Sequence, residues 1–178
     1  MTTIYVDSIQ GFSSDTTVIL ENEDPVLVVD LKHGDVLLGG GVVSFIVKTP
    51  NHDSVQMMKI DQSLEITEKQ PLYIHGGWKF CSKSQHDKIE PLFIYNIVTQ
   101  SDTPRTMYVG ETMLKTTSLG YTFSKDTNNH PYFSTKLVLD DLKVLPKINN
   151  IVSVKKFIVD RDSGLVCGLH GQTFYSIF

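Results

Sequence analysis

The chain has 178 residues, of which 40% are hydrophobic and 20% charged, with a formal net charge of −4. That length suits one domain, or two small ones at most, and no run approaches the roughly 20 apolar residues a membrane helix needs. Fourteen lysines stand against two arginines, Arg105 and Arg161. Arginine supplies most bidentate phosphate and base-edge contacts, so a mildly acidic chain with no basic stripe speaks against a nucleic-acid partner.

There is no alanine anywhere in the chain. Alanine is the best helix former, whereas the abundant Thr, Val, Ile, Phe and Tyr fit pleated surfaces. The expectation is an all-β, mainly antiparallel fold, a sandwich or open barrel with at most one or two short helices. The first ten residues lack the basic and apolar regions of a secretory signal. A soluble intracellular protein is the default expectation.

In chain order, Thr3 to Val6 and Thr17 to Leu20 are strand candidates, separated by the turn residues 11–15. Pro25 closes an acidic turn and pushes Asp24 to extended backbone. Val26 to Leu31 is a continuous apolar run, short enough for a buried strand. Gly39 to Gly41 interrupt apolar sequence and suggest a bulge or close backbone approach before the strand Val42 to Lys48. Val55 to Ile60, Ser63 to Thr67 and Leu72 to Ile74 are short strand candidates. The polar segment 81–90 reads as an exposed loop or one short helix, and it is the one candidate seam in a single domain spanning 1–178. Leu92 to Thr99 is a strand, and Gly110-Glu111 turns the chain between Arg105 to Val109 and Thr112 to Thr117. Leu119 to Ser124 and Tyr132 to Leu139 alternate as strands do.

The last stretch, residues 151–178, carries the strongest local signal. Two β-branched runs flank Asp160-Arg161-Asp162-Ser163-Gly164, and Gly164 takes left-handed backbone at no steric cost, so a hairpin is expected. Phe174 to Phe178 would close the core as a final strand. Turn signals recur every 8–12 residues, the spacing of an antiparallel sandwich or barrel.

Several groupings bear on chemistry. His33, then Asp53 or Asp61, then Ser163 run in the order of a His-Asp-Ser triad, and this set resembles the chymotrypsin-like serine proteases. That family's Gly-Asp-Ser-Gly turn here reads Arg161-Asp162-Ser163-Gly164, and the missing first glycine is the one that lets substrate approach the oxyanion hole. Residues 164–173 resemble the last strand pair of jacalin-type lectins, but the family's sugar-binding loop with its aspartate is missing, because Thr173 passes directly to Phe174-Tyr175. The six histidines never pair at H-x-H or H-x-x-x-H spacing, so no metal site is expected. Gly39 to Gly41 lack the following Lys-Ser/Thr of a P-loop. Cys81 and Cys167 are far apart and sit in no CxxC; two buried thiols are expected, with a single long-range disulfide as the alternative. Trp78, the one tryptophan, follows His75-Gly76-Gly77 and suits either a sheet corner or a binding surface.

No grouping makes a convincing active site, so no catalytic residue and no cofactor is assigned. The reading is a non-enzymatic assembly subunit, of the coat, matrix or accessory kind that viruses build from β-sandwiches, associating with copies of itself and able to be virion-associated. The alternatives are a carbohydrate- or ligand-binding β domain and a divergent chymotrypsin-like hydrolase. The candidate binding residues are His75, Trp78, His170 and Tyr175.

Overall fold

The computed structural model describes residues 9–82, 86–124 and 129–171. Its strands in chain order are β1 Thr17–Ile19, β2 Pro25–Leu27, β3 Val43–Pro50, β4 Met57–Asp61, β5 Leu64–Thr67, β6 Leu72–Ile74, β7 Gly77–Lys79 and β8 Asp87–Ile89. They continue with β9 Phe93–Thr99, β10 Thr106–Val109, β11 Leu114–Thr117, β12 Lys147–Ile148, β13 Ile151–Val159 and β14 Val166–Gly171. One helix, α1 Lys136–Lys143, and a 3-10 turn at Val28–Asp30 complete the described elements.

Three sheets result. The largest runs β2-β1-β10-β11-β6-β7, the second β12-β13-β3-β9 with β14 on β13, and the third β5-β4-β8. Among the described residues the fold is all-β and mostly antiparallel, with 44% strand, 7% helix and no closed barrel. One pairing departs from the antiparallel rule: β13 lies parallel to β3, with Ile151, Val152 and Ser153 opposite Ile46, Val47 and Lys48.

Strand β3 divides the interior. Successive side chains of a strand point to opposite faces. Ile46 accordingly joins a core with Phe12, Met58, Ile66, Tyr95 and Ile97. Its neighbours Phe45 and Val47 join a second core with Val98, Phe133, Leu142 and Val152. A strand buried on both faces needs a continuous apolar run, and Phe45-Ile46-Val47 at the centre of β3 supplies one. The second core is capped by α1.

Several expectations change. Val26 to Leu31 is not one strand: β2 ends at Leu27 and a 3-10 turn follows, burying Val28. Within the polar segment, Asp87–Ile89 forms strand β8, paired with β4. Tyr132 to Leu139 gives way to a turn and α1, because Val138, Leu139 and Leu142 together form one buried helical face. Leu119 to Ser124 forms no strand. Both cysteines are free, and Cys167 is exposed rather than buried. The Asp160–Gly164 hairpin forms as expected, with Gly164 at φ +70° and Val159 opposite Val166. The strand candidates at 3–6 and 174–178 lie outside the described residues. Among the described residues, no helix is long and apolar enough to cross a membrane.

Candidate functional site

A densely hydrogen-bonded polar grouping lies where the N-terminal arm, Gln10 to Ser13, passes between β9 and β5. The arm is held residue by residue. Asn96 Nδ2 donates to the Gln10 carbonyl at 2.9 Å. Thr67 N–H donates to the Gly11 carbonyl at 3.0 Å, and Ser13 N–H to the Glu65 carbonyl at 3.1 Å. Between them Phe12 exchanges both backbone bonds with Tyr95, at 2.8 and 2.9 Å. Phe12 itself is fully buried and anchors the arm in the first core.

Gly11 is required here. A Cβ at this position would clash with Ile94 Cγ2 and come within 2.8 Å of the Tyr95 carbonyl oxygen. Only a residue without a side chain lets the arm lie this close to β9.

One carboxylate faces the arm. Ser13 Oγ donates to Glu65 Oε1 at 2.7 Å, and Ser13 and Glu65 are 3% and 7% exposed. Thr16 supports the pair from the side. Its hydroxyl donates to the Glu65 carbonyl and accepts from the Glu65 N–H, both at 3.0 Å. A carboxylate this deep needs hydrogen-bond donors, because burying it bare is costly.

Next to the pair, the chain turns at Thr67 to Gln70, closed by Gln70 N–H donating to the Thr67 carbonyl. Gln70 Nε2 reaches Thr116 Oγ1 at 2.8 Å and the Thr117 carbonyl at 3.0 Å. Gln70 Oε1 and Thr67 Oγ1 are buried with no hydrogen-bond partner among the described residues. Such atoms each cost about 1–3 kcal/mol, and they recur at sites built for something other than stability.

The protease-like set is not assembled. His33 Nδ1 contacts the Ser44 carbonyl, and Asp61 accepts from Ser63 N–H and Thr112 Oγ1. Ser163 sits in the exposed hairpin turn, its hydroxyl accepting from Leu165 N–H.

The candidate binding residues are scattered. His75 occupies the β6–β7 turn at φ +51°. Trp78 stacks edge-on against Tyr73 and Phe123, at ring-centroid distances of 5.4 and 5.3 Å. His170 lies in β14 opposite Lys156. Tyr175 lies outside the described residues. No grouping of three or more His, Cys, Asp or Glu among the described residues could hold a metal ion.

Sequence reading passed over Ser13, Thr16, Glu65, Thr67, Gln70 and Asn96. One signal was present: Glu65 is a charged residue inside Leu64-Glu65-Ile66-Thr67, a run whose other members belong in a core. The arm itself reads only as a turn.

The Vint family model, described as a Hint-domain, matches residues 10–168, starting at the arm and ending in β14. The chain belongs to this Hint-domain family. The match spans nearly the whole chain, and it overturns the coat, matrix or assembly reading together with the lectin and protease alternatives. The Hint chain is similar to the crystal structure of a DnaB intein from Synechocystis sp. PCC 6803, with 12% identity and a TM-score of 0.44, covering 62% of this chain and 99% of that one. It is similar also to a variant of the Ssp DnaB mini-intein, with 12% identity and a TM-score of 0.44, covering 65% and 99%. No curated protein matches the chain. The expectation of an assembly subunit failed because composition and turn spacing specify a β fold without distinguishing what a β fold carries.

Proposed function

We propose that this Hint domain rearranges its own backbone at the Phe12–Ser13 peptide, by an N→O acyl shift begun by the Ser13 hydroxyl. The observation that carries this reading is the 2.7 Å hydrogen bond from Ser13 Oγ to Glu65 Oε1 in a site closed to solvent. Membership of the Hint family, whose fold is that of self-splicing domains, supports it.

The chemistry follows from the groups in place. Glu65 takes the hydroxyl proton as Ser13 Oγ attacks the Phe12 carbonyl carbon. Tyr95 N–H, 2.9 Å from the Phe12 oxygen, stabilises the negative charge that develops there. When the tetrahedral intermediate collapses, the C–N bond breaks and Glu65 returns the proton to the Ser13 nitrogen. An ester then joins the Phe12 carbonyl to Ser13 Oγ, and an external nucleophile can cleave it.

The test is a fusion with a stable carrier protein ahead of Met1, incubated with hydroxylamine and followed by intact mass. Separation between Phe12 and Ser13 is expected. Ser13→Ala should abolish it, and Glu65→Gln should slow it by roughly 10²–10⁴, the usual worth of a positioned base. A wild-type fusion that stays whole refutes the reading.

A second reading is a Hint fold that keeps its polar centre and has given up processing. It is favoured by the engagement of Ser13, whose N–H and hydroxyl are both bound to Glu65. On that reading hydroxylamine leaves the fusion whole, and Ser13→Ala only destabilises, by about 1–3 kcal/mol for a carboxylate left without its donor.

A further inference from the structure

A second feature, away from the arm's polar centre, concerns where β3 and β13 part. Their parallel ladder ends at Lys48 and Ser153. Beyond it β3 stays with β9 to Pro50, while β13 pairs with β14 from Val154 to Val159. A cavity of about 360 Å³ opens between the diverging strands, lined by Thr49 and Pro50 on one side and Lys156, Phe157 and Val159 on the other. That volume is in the range of ligand sites.

We propose that this cleft binds a partner polypeptide as an added strand, in extended form, with apolar side chains alternating along it. The reading stands apart from the processing chemistry. Three observations carry it. The cleft begins where two strands stop pairing with each other, and an opened ladder is the feature an extended peptide completes with its own backbone. Ile94 and Val166 are buried and give the cleft an apolar floor, while Val159 on its β13 wall is 43% exposed, unusually open for its type. Thr49, on the wall and 4% exposed, has a hydroxyl with no hydrogen-bond partner among the described residues. Lys156 and His52 stand with a single acid, Asp53, along the same cleft. Lys156 is the lining's one lysine or arginine, and a carboxylate at an end of the peptide can pair with it.

The test uses the full chain and a fluorescein-labelled peptide, Glu-Val-Thr-Val-Thr-Val-Glu, followed by fluorescence anisotropy. Saturable binding is expected. Val159→Glu should weaken it at least about tenfold, since a charge is set into an apolar wall facing an acidic peptide. Val159 is half-exposed, so this variant should fold, and an unchanged circular dichroism spectrum verifies that. The same peptide N-methylated at its valines keeps every side chain but loses backbone donors, and it should also bind at least about tenfold more weakly. Equal binding of the methylated peptide would mean apolar adhesion and overturn the proposal. So would indifference to Val159→Glu, or no binding up to about 1 mM. Binding seen only after residues 1–8 are removed would assign the cleft to the chain's own segment instead of a partner.

Discussion

Gly11 shows how one residue sets the geometry of the arm. The atoms that would meet its Cβ are the Tyr95 backbone carbonyl on β9, which is fixed by its bond to Phe12 N–H, and the buried side chain of Ile94. Gly11→Ala should therefore cost about 1–3 kcal/mol, read from urea denaturation, as expected of an overpacked site. His130 makes a different kind of residue-scale statement. Burial holds its imidazole down to about 4, well below the usual histidine range. Its Nδ1 also accepts the Tyr132 and Phe133 N–H groups, which a proton on that nitrogen would displace. The unfolded chain takes up this proton near pH 6.5, while the folded one resists it until about pH 4. The contribution is thus complete above about pH 6.5 and is lost as pH falls from there to about 4. Denaturation midpoints measured at pH 7.5 and 5.0 should differ in that sense. His130→Asn, which keeps an acceptor for the same two amides but does not titrate, should reduce the difference. Little at this scale was legible in advance. Ser13 and Glu65 are 52 positions apart, and only tertiary structure makes them neighbours.

Among the elements, α1 is the one whose local signals competed. Tyr132 to Leu139 carries a strand-like pattern, yet Thr135 is a good N-cap, and its side chain accepts from Leu137 N–H. Lys143 in the last turn suits the negative end of the helix dipole. Packing decides the outcome: a helix places Val138, Leu139 and Leu142 together against the second core, whereas a strand would turn Val138 and Leu139 to opposite faces. Thr135→Ala should lower stability by about 1 kcal/mol, a fall of about 2–4 °C in melting temperature for a chain of this size. The β13–β14 hairpin was legible because its signal is short-range: a turn that needs positive φ, a glycine to supply it, and β-branched runs on both sides. The break at Leu27 was not, since Val28-Val29 continue the apolar run and only tertiary contacts bend the chain there.

For the molecule as a whole, the missing alanine and the abundance of β-branched residues were sufficient to establish the class. Far-UV circular dichroism should give a strand-dominated spectrum, with helix content far below the third typical of globular proteins. Function was not legible at this scale, because a Hint domain and a coat sandwich draw on the same residue types and turn spacing. The parallel pairing of β3 with β13 has a kinetic consequence. Ile46 and Ile151 lie about a hundred positions apart, and their contact joins an early strand to one near the end of the chain. The loop to be closed is long, so its entropy must be lost before the contact returns anything, and such high contact order slows folding. On a ribosome, β3 emerges long before its partner exists, and its two apolar faces must wait. Mature structure around β3 is therefore a late event in the life of each newly made chain, timed by the synthesis of β13 rather than by any property of β3 itself.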